Sequence, residues 1–297
     1  MKLLVIGGLS SDTQDAEALV ELGAYIKETL DTVEVFATSL DKLVFDAHES
    51  FEILDTVNNL QLSSVDGIFI RGPKMRMLSA YAYYVSQFCL MQGIRCVNSY
   101  EAYYPGTKFA QSIVFMQEAA PFLRTLYSVD NQLLISQAEQ QLGYPFILKT
   151  NVGSHGDSNH LVRDHEEAMT ALANEPNVDF LAQAYCPNDR DYRLLLVGDK
   201  DLVFERRGDA DTHINNTSKG GEATRADGVL PPEIITLARK VSARLNLKIS
   251  GVDVMPNLET GKLYFLEINS QPQLRTGALL PEKQALLKDF LTSFLAS

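Results

Sequence analysis

Cysteine is scarce: Cys89, Cys96 and Cys186 are the only three in 297 residues, and none forms a CxxC pair. An odd, sparse count argues against a disulfide framework and for a reducing compartment, with the three thiols as small buried hydrophobes. Positive charge is also short. Lysine plus arginine number 26 against 38 aspartate plus glutamate, a net charge of −12. Such a field repels phosphate backbones and anionic lipid, which excludes nucleic acid and membrane surfaces as general partners. No apolar run approaches the roughly 18 to 20 residues that cross a bilayer. The segment from Met1 to Leu9 is too short for a signal peptide and runs into Ser10, Ser11 and Asp12, so it reads as a buried first strand. The expected location is the cytoplasm. Repeats and low-complexity segments are missing. The 45% apolar and 22% charged content that remains is that of a globular chain about two domains long.

What is there begins with strands alternating with helices. Leu3 to Ile6, Gly7-Gly8 and the amphipathic stretch Asp15 to Leu30 give strand, turn, helix. Strands follow at Val33 to Phe36, Val65 to Ile70 and Ile94 to Asn98, with a helix over Leu78 to Gln92. This order predicts a parallel sheet covered on both faces. Gly7-Gly8 by itself is a tight turn. Tyr104-Pro105-Gly106 marks a break before a helix from Thr107 to Glu118. Strands are expected at Pro145 to Lys149 and Val178 to Gln183, around a helix near Glu166 to Ala173. The text then becomes strand-rich: Asp191 to Val197, Leu202 to Arg206, Gly251 to Met255 and Leu263 to Ile268, with a helix from Pro232 to Leu245.

Three sites carry chemistry. Lys149 ends a strand and opens into Val152-Gly153-Ser154-His155-Gly156-Asp157, offering a cation and exposed backbone N–H groups to a polyphosphate. The lysine precedes the glycines, so this is not the Walker arrangement, and alone it also fits a surface turn. On the last hairpin, alternation puts Glu267 and Asn269 on one strand face, and with Asp253 they form an oxygen-rich trio. Such a trio suits Mg²⁺, a hard cation, and equally a solvated strand face. Glu205-Arg206-Arg207, with Asn215-Asn216 and Lys219-Gly220-Gly221 downstream, joins planar guanidinium forks to a loop able to close over oxyanions, or forms an ordinary charged hairpin.

Taken together, in this order, these stretches resemble the ATP-grasp superfamily, and within it the RimK-like carboxylate–amine ligases. The resemblance runs from about Lys108 to Leu274 and is most specific in Gln183 to Arg193 leading into Leu196-Val197-Gly198-Asp199, in Glu205 through Gly221, and in Leu266 to Pro272. It is fainter upstream, at Arg71-Gly72 and Gly93 to Asn98. It implies an α/β chain, α+β in its C-terminal half: a Rossmann-like N-terminal domain over 1–105, then a two-lobed ATP-grasp domain with a central lobe over 106–185 and a C-terminal lobe over 186–297.

The same resemblance implies that Lys108 and Lys149 bind ATP phosphates under a flap of Gly153, Ser154, His155 and Gly156. Gln183, Ala184 and Tyr185 would be the adenine hinge, and Asn188 would meet the ribose where the family usually has glutamate. Asp253, Glu267 and Asn269 would hold Mg²⁺, with Mn²⁺ as a substitute. Arg206, Arg193 and Asn216 would act at the transferring phosphoryl group. Ala184, Ile214 and Gln273 also depart from the family's usual residues, the last two toward the acceptor side. The expected activity is amide formation through an acyl phosphate, with ADP and phosphate released, from carboxylate and amine substrates that are small molecules or peptides. The rivals are a macrocyclising peptide-tailoring or dipeptide ligase, for which Arg71, Lys74 and Arg76 offer a basic docking cluster, and a non-catalytic ATP-binding regulatory module. The resemblance also suggests a homo-oligomer, a dimer or tetramer.

Overall fold

A computed structural model describes residues 1–71, 78–99, 107–152, 158–207, 222–274 and 277–296. The first sheet is built from β1 (Lys2–Gly7), crossed by α1 (Thr13–Thr29) to β2 (Glu34–Ser39). Leu3, Leu4, Val5 and Ile6 are fully buried, as a continuous apolar run between two covered faces requires. Asp12 caps α1 by accepting from the Asp15 N–H, and Leu19, Leu22 and Ile26 recur at helical spacing on its buried face.

Next comes an unforeseen antiparallel sheet, β3 (Leu43–Ala47), β4 (Phe51–Asp55) and β5 (Leu60–Gln61). Its strands are short and half-exposed, so no strong apolar run announces them. β6 (Gly67–Ile70), α2 (Leu78–Gln92) and β7 (Arg95–Val97) complete the first sheet in the order β2-β1-β6-β7, all parallel.

The second layer holds α3 (Lys108–Gln117), β8 (Thr125–Tyr127), α4 (Asn131–Gln141), β9 (Phe146–Thr150), β10 (Asn159–Val162), α5 (His165–Asn174) and β11 (Phe180–Ala184). Its sheet runs β10-β9-β11-β8 and is antiparallel. β12 (Asp191–Val197), β13 (Lys200–Arg207), β14 (Glu222–Arg225), α6 (Pro232–Arg244), β15 (Ile249–Pro256) and β16 (Leu263–Asn269) follow. These strands form an antiparallel sheet ordered β14-β13-β12-β15-β16. The closing helix α7 (Leu280–Ala296) was not expected from the sequence.

Packing joins these layers in a way that chain order hides. α7 buries Leu287, Leu291 and Leu295 in one core with Leu3 and Val5 of β1 and with Leu195, Leu202 and Ile249 of the five-stranded sheet. On that sheet's other face, Val114 and Phe115 of α3 join Leu194, Val252, Ile268 and the residues of α6. α3 therefore sits on the last sheet although it precedes the central one in the chain.

Candidate active site

The central sheet and the five-stranded sheet meet where α3 begins. Asn151, 3% exposed, makes that junction: its carbonyl accepts from Lys108 N–H at 2.9 Å, and its Oδ1 accepts from Phe109 N–H at 3.0 Å. Thr107 caps the helix through Ala110 N–H. The end of β9 thus fixes the first turn of α3, and Lys108 comes to stand near Lys149. Lys108 Nζ donates to the Thr150 carbonyl at 3.0 Å, and Lys149 Nζ donates to Gln183 Oε1 at 2.8 Å. Gln183, buried in β11, is anchored in turn by donating to Thr125 Oγ1 at 2.9 Å.

Two lysines at the positive end of a helix are a costly arrangement without an anion. The strain is visible in their acidity. Burial, then the charge of Lys108, pushes Lys149 down to about 8, against an opposing pull from Glu267. Burial lowers Lys108 as well, again opposed by Glu267. A polyphosphate relieves both lysines at once, since it supplies charge and hydrogen-bond acceptors together.

On the facing sheet, β15 and β16 pair Asp253 with Glu267 and Gly251 with Asn269. Asn269 Nδ2 donates to Glu267 Oε1 at 2.9 Å, which leaves the amide oxygen as a donor toward a cation. Asp253 is 4% exposed and occupied by arginine. Arg193, its cross-strand partner, grips it with Nε and with Nη2, the latter at 2.9 Å, and Arg206 Nη2 lies 3.1 Å from Asp253 Oδ2. Arg206 also donates through Nε to Asp191 Oδ1 at 2.6 Å. Two aspartates and two arginines thus form a largely buried quartet. Burial would raise both carboxyls. Arg193 and Arg206 outweigh it and hold Asp253 below its ordinary value, while at Asp191 burial and the repulsion of Asp253 prevail over Arg206 and the weaker pull of Arg193, and its carboxyl is pushed up.

The sequence-derived residues are therefore brought together in two groups. Lys108, Lys149 and Gln183 form the cationic side, and Arg193, Arg206, Asp253, Glu267 and Asn269 form the strand side. Glu267 connects the groups through its pull on both lysines. At the segment expected to be the hinge, the Gln183 side chain holds Lys149, and the Ala184 N–H donates to the Arg124 carbonyl at 2.9 Å. Tyr185 and Asn188 are half-buried beyond it, and the Asn188 amide points back to the Arg190 carbonyl at 3.5 Å. Gly153, Ser154, His155, Gly156, Ile214, Asn216, Lys219, Lys74 and Arg76 lie outside the described residues. The sequence reading missed Asn151, Gln111 and Asp191. Asp191 was legible as the partner two residues before Arg193 on one strand face; Asn151 and Gln111 act on backbone and leave no such pattern.

Two carboxylates and an amide oxygen are a hard donor set of the kind Mg²⁺ takes, and Asp253 would join it only by giving up its guanidinium partners. Among the described residues no three His, Cys, Asp or Glu side chains converge, so Asn269 is needed to complete the set.

The model of the RimK-like ATP-grasp domain matches residues 116–279, more than half of the chain. The chain belongs to the RimK-like ATP-grasp family. A curated relative is an uncharacterised protein of Mycoplasma genitalium, 27% identical over 180 residues. The match covers 60% of this chain and 60% of that protein's length. Among solved structures, this RimK-like chain is similar to D-alanyl-alanine synthetase A from Vibrio cholerae, with a TM-score of 0.72, 15% identity, and 100% of this chain and 97% of that chain covered. It is also similar to the macrocyclase MdnC from Microcystis aeruginosa bound with precursor peptide MdnA, with a TM-score of 0.69, 15% identity, and 98% and 100% covered. A third is the RiPP-associated ATP-grasp ligase of Chryseobacterium gregarium in complex with ADP, a leader and a core peptide, at a TM-score of 0.68, 13% identity, and 98% and 97% covered. At these identities the likeness establishes a mixed α/β ATP-grasp fold. No described helix is long and apolar enough to cross a membrane.

Proposed function

We propose that the protein is an ATP-dependent carboxylate–amine ligase. The observation that carries this reading is the pair of half-buried lysines, Lys108 and Lys149, set beside a strand whose Glu267 and Asn269 offer oxygen to a cation. Polyphosphate and divalent metal are the complementary ligands of those two surfaces, and the family supplies ATP and Mg²⁺ as their identities. Asp253, Glu267 and Asn269 would hold the metal, whose chemistry is to neutralise charge on the phosphate oxygens.

The chain's own residues do the rest. Lys108 and Lys149 bind phosphate oxygens, and Gln183 keeps Lys149 aimed. A substrate carboxylate oxygen bonds to the γ-phosphorus as the bond to the bridging oxygen breaks, giving an acyl phosphate and ADP. Arg193 and Arg206, released from Asp253, face the charge on the moving phosphoryl group. The amine then attacks the acyl carbon, loses a proton, and phosphate departs with the amide formed. Positioning and electrostatics supply most of the acceleration. Gly153, Ser154, His155 and Gly156, the flap the resemblance implies, and Asn216, which it implies at the transferring phosphoryl group, lie outside the described residues. Tyr185 and Asn188, which follow β11 in the chain, would contact the nucleoside. On this reading 1–105 is an N-terminal Rossmann-like unit, and 106–185 and 186–297 are the two lobes of the nucleotide cleft, in a cytoplasmic enzyme that works as an oligomer.

A peptide acceptor is the second reading, favoured because MdnC and the Chryseobacterium ligase, whose structures hold peptides, cover this chain nearly end to end. Two small acids would condense; one peptide would lose water and cyclise. The experiment that tests the shared site is Glu267→Ala. It should abolish Mg²⁺-dependent ADP release, exceeding the ~100-fold that loss of a mere outer-shell partner costs, with the folding midpoint unchanged. Turnover equal to the unaltered protein removes the site.

A further inference from the structure

α3 and β16 are joined by a contact that involves no charge. The Gln111 carboxamide donates through Nε2 to the Ile268 carbonyl at 3.0 Å and accepts at Oε1 from the Ile268 N–H at 2.8 Å. β16 is the edge of its sheet, and beyond the bridge at Phe265, whose N–H donates to the Pro121 carbonyl at 2.8 Å, this side chain continues the strand's hydrogen-bond ladder where a neighbouring strand would stand. Gln111 is 7% exposed, and both of its polar ends are satisfied.

Its place in the chain gives the contact a second meaning. Gln111 is one helical turn after Lys108, on the same face of α3. Ile268 stands between Glu267 and Asn269. Lys108, one turn of helix, the carboxamide, and the backbone of β16 thus form a short rigid path from the phosphate-binding lysine to the strand that offers oxygen to a cation. We propose that Gln111 is a positioning residue that couples nucleotide binding to Mg²⁺ binding by fixing α3 against β16; this rests on the ligase reading above.

The two ligands differ in their tolerance of misplacement, and that difference makes the coupling measurable. An ammonium on a flexible four-carbon stem follows a phosphate that has shifted slightly. Mg²⁺ demands near-ideal octahedral geometry, and Glu267 and Asn269 of β16 would supply part of it. A slip of α3 along the edge of β16 therefore leaves lysine–phosphate attraction in place and spoils metal coordination. A clamp of purely structural worth would weaken both equally, or neither.

The experiment is calorimetric titration of ADP, once with chelator and once with saturating Mg²⁺, on the unaltered protein, Gln111→Met and Gln111→Glu. Methionine keeps length and bulk while removing both hydrogen bonds; glutamate keeps the acceptor for the Ile268 N–H. For Gln111→Met the metal-free affinity should stay within about twofold, and the gain in affinity from Mg²⁺ should shrink by ~10-fold or more, the usual effect of losing an outer-shell partner. Gln111→Glu should fall between. By reciprocity the gain in Mg²⁺ affinity that ADP confers should shrink by the same factor. An undiminished Mg²⁺ gain in folded Gln111→Met overturns the proposal, as does an equal loss with and without metal. Should methionine prevent folding, the same two criteria apply to Gln111→Glu. If the unaltered protein itself gains no ADP affinity from Mg²⁺, the ligase reading fails, and the coupling role with it.

Discussion

Lys149 shows how a single residue reports the ligand it awaits. Burial and Lys108 bring it to about 8 from an ordinary 10.5. Below about 8 it is an ammonium that a phosphate can use; above, it is neutral. Nucleotide affinity should therefore be steady on the acid side and fall as pH rises through 8. Lys149→Met should bind weakly throughout and lose that step. A flat affinity profile across pH 8 in the unaltered protein would contradict the assignment. Stability of the nucleotide-free protein runs the other way. Between 8 and 10.5 the unfolded chain holds the proton that the folded one has lost, so stability rises with pH across that window. At this scale the sequence was informative. A lysine ending a strand before glycines, and acidic and amide side chains alternating on another strand, each also fitted an ordinary surface, and only their order along the chain pointed to a common site. It did not reveal that Gln183 would serve Lys149 through its side chain, because that bond crosses between strands 34 residues apart.

Among elements, the five-stranded sheet organises the charge. Its β12 presents Asp191 and Arg193, β13 presents Arg206, and β15 presents Asp253, so that register alone aligns the quartet. Gly251, two residues before Asp253, makes room for it. A Cβ there would stand 2.9 Å from Arg193 Nη1 and 3.2 Å from Pro272 Cβ. Arg193 is pinned by Asp253 and cannot yield without breaking that pair. Gly251→Ala should then cost about 1–3 kcal/mol of folding stability, the scale of overpacking in a tight core, and should lower ADP release. Urea denaturation and a coupled ADP assay check both, and unaltered values in each would show that Arg193 moves freely. The sequence made these strands legible as short apolar runs in a strand-rich stretch. It gave no sign of the ion pairs across them, because Arg193 and Asp253 are sixty residues apart and only the register brings them together. β3, β4 and β5 escaped notice for another reason: half-exposed strands of two to five residues carry little apolar signal.

At the scale of the molecule, α7 ties the beginning of the chain to the end. Its Leu287 and Leu291 are at most 1% exposed, in the core that β1 shares with β12, β13 and β15. Phe290 of the same helix crowds Gly198, whose φ of +60° turns β12 into β13. Leu291→Ala should cost about 2–5 kcal/mol, as large-to-small changes in closed cores do. The parallel sheet and the five-stranded sheet should still melt in one transition, since α7 belongs to both. Two separated transitions in urea, with the first sheet unaffected, would contradict a shared core. The α/β alternation of the first hundred residues and the strand-rich second half were readable in advance. Their joint dependence on the final helix was not, because nothing local in the sequence records which surface a terminal helix covers.

The central claim is that the site makes an amide at the expense of ATP. Its most direct test is Mg²⁺-dependent ADP release against pooled amino acids, small carboxylic acids and short acidic peptides, with mass spectrometry of every active pool. The account predicts ADP in step with a new amide, seen as a condensed mass from two small molecules or as loss of water from one peptide, and absent with Glu267→Ala. Tight binding of Mg²⁺ and ATP with no ADP from any pool would contradict it and favour a nucleotide-binding regulatory module.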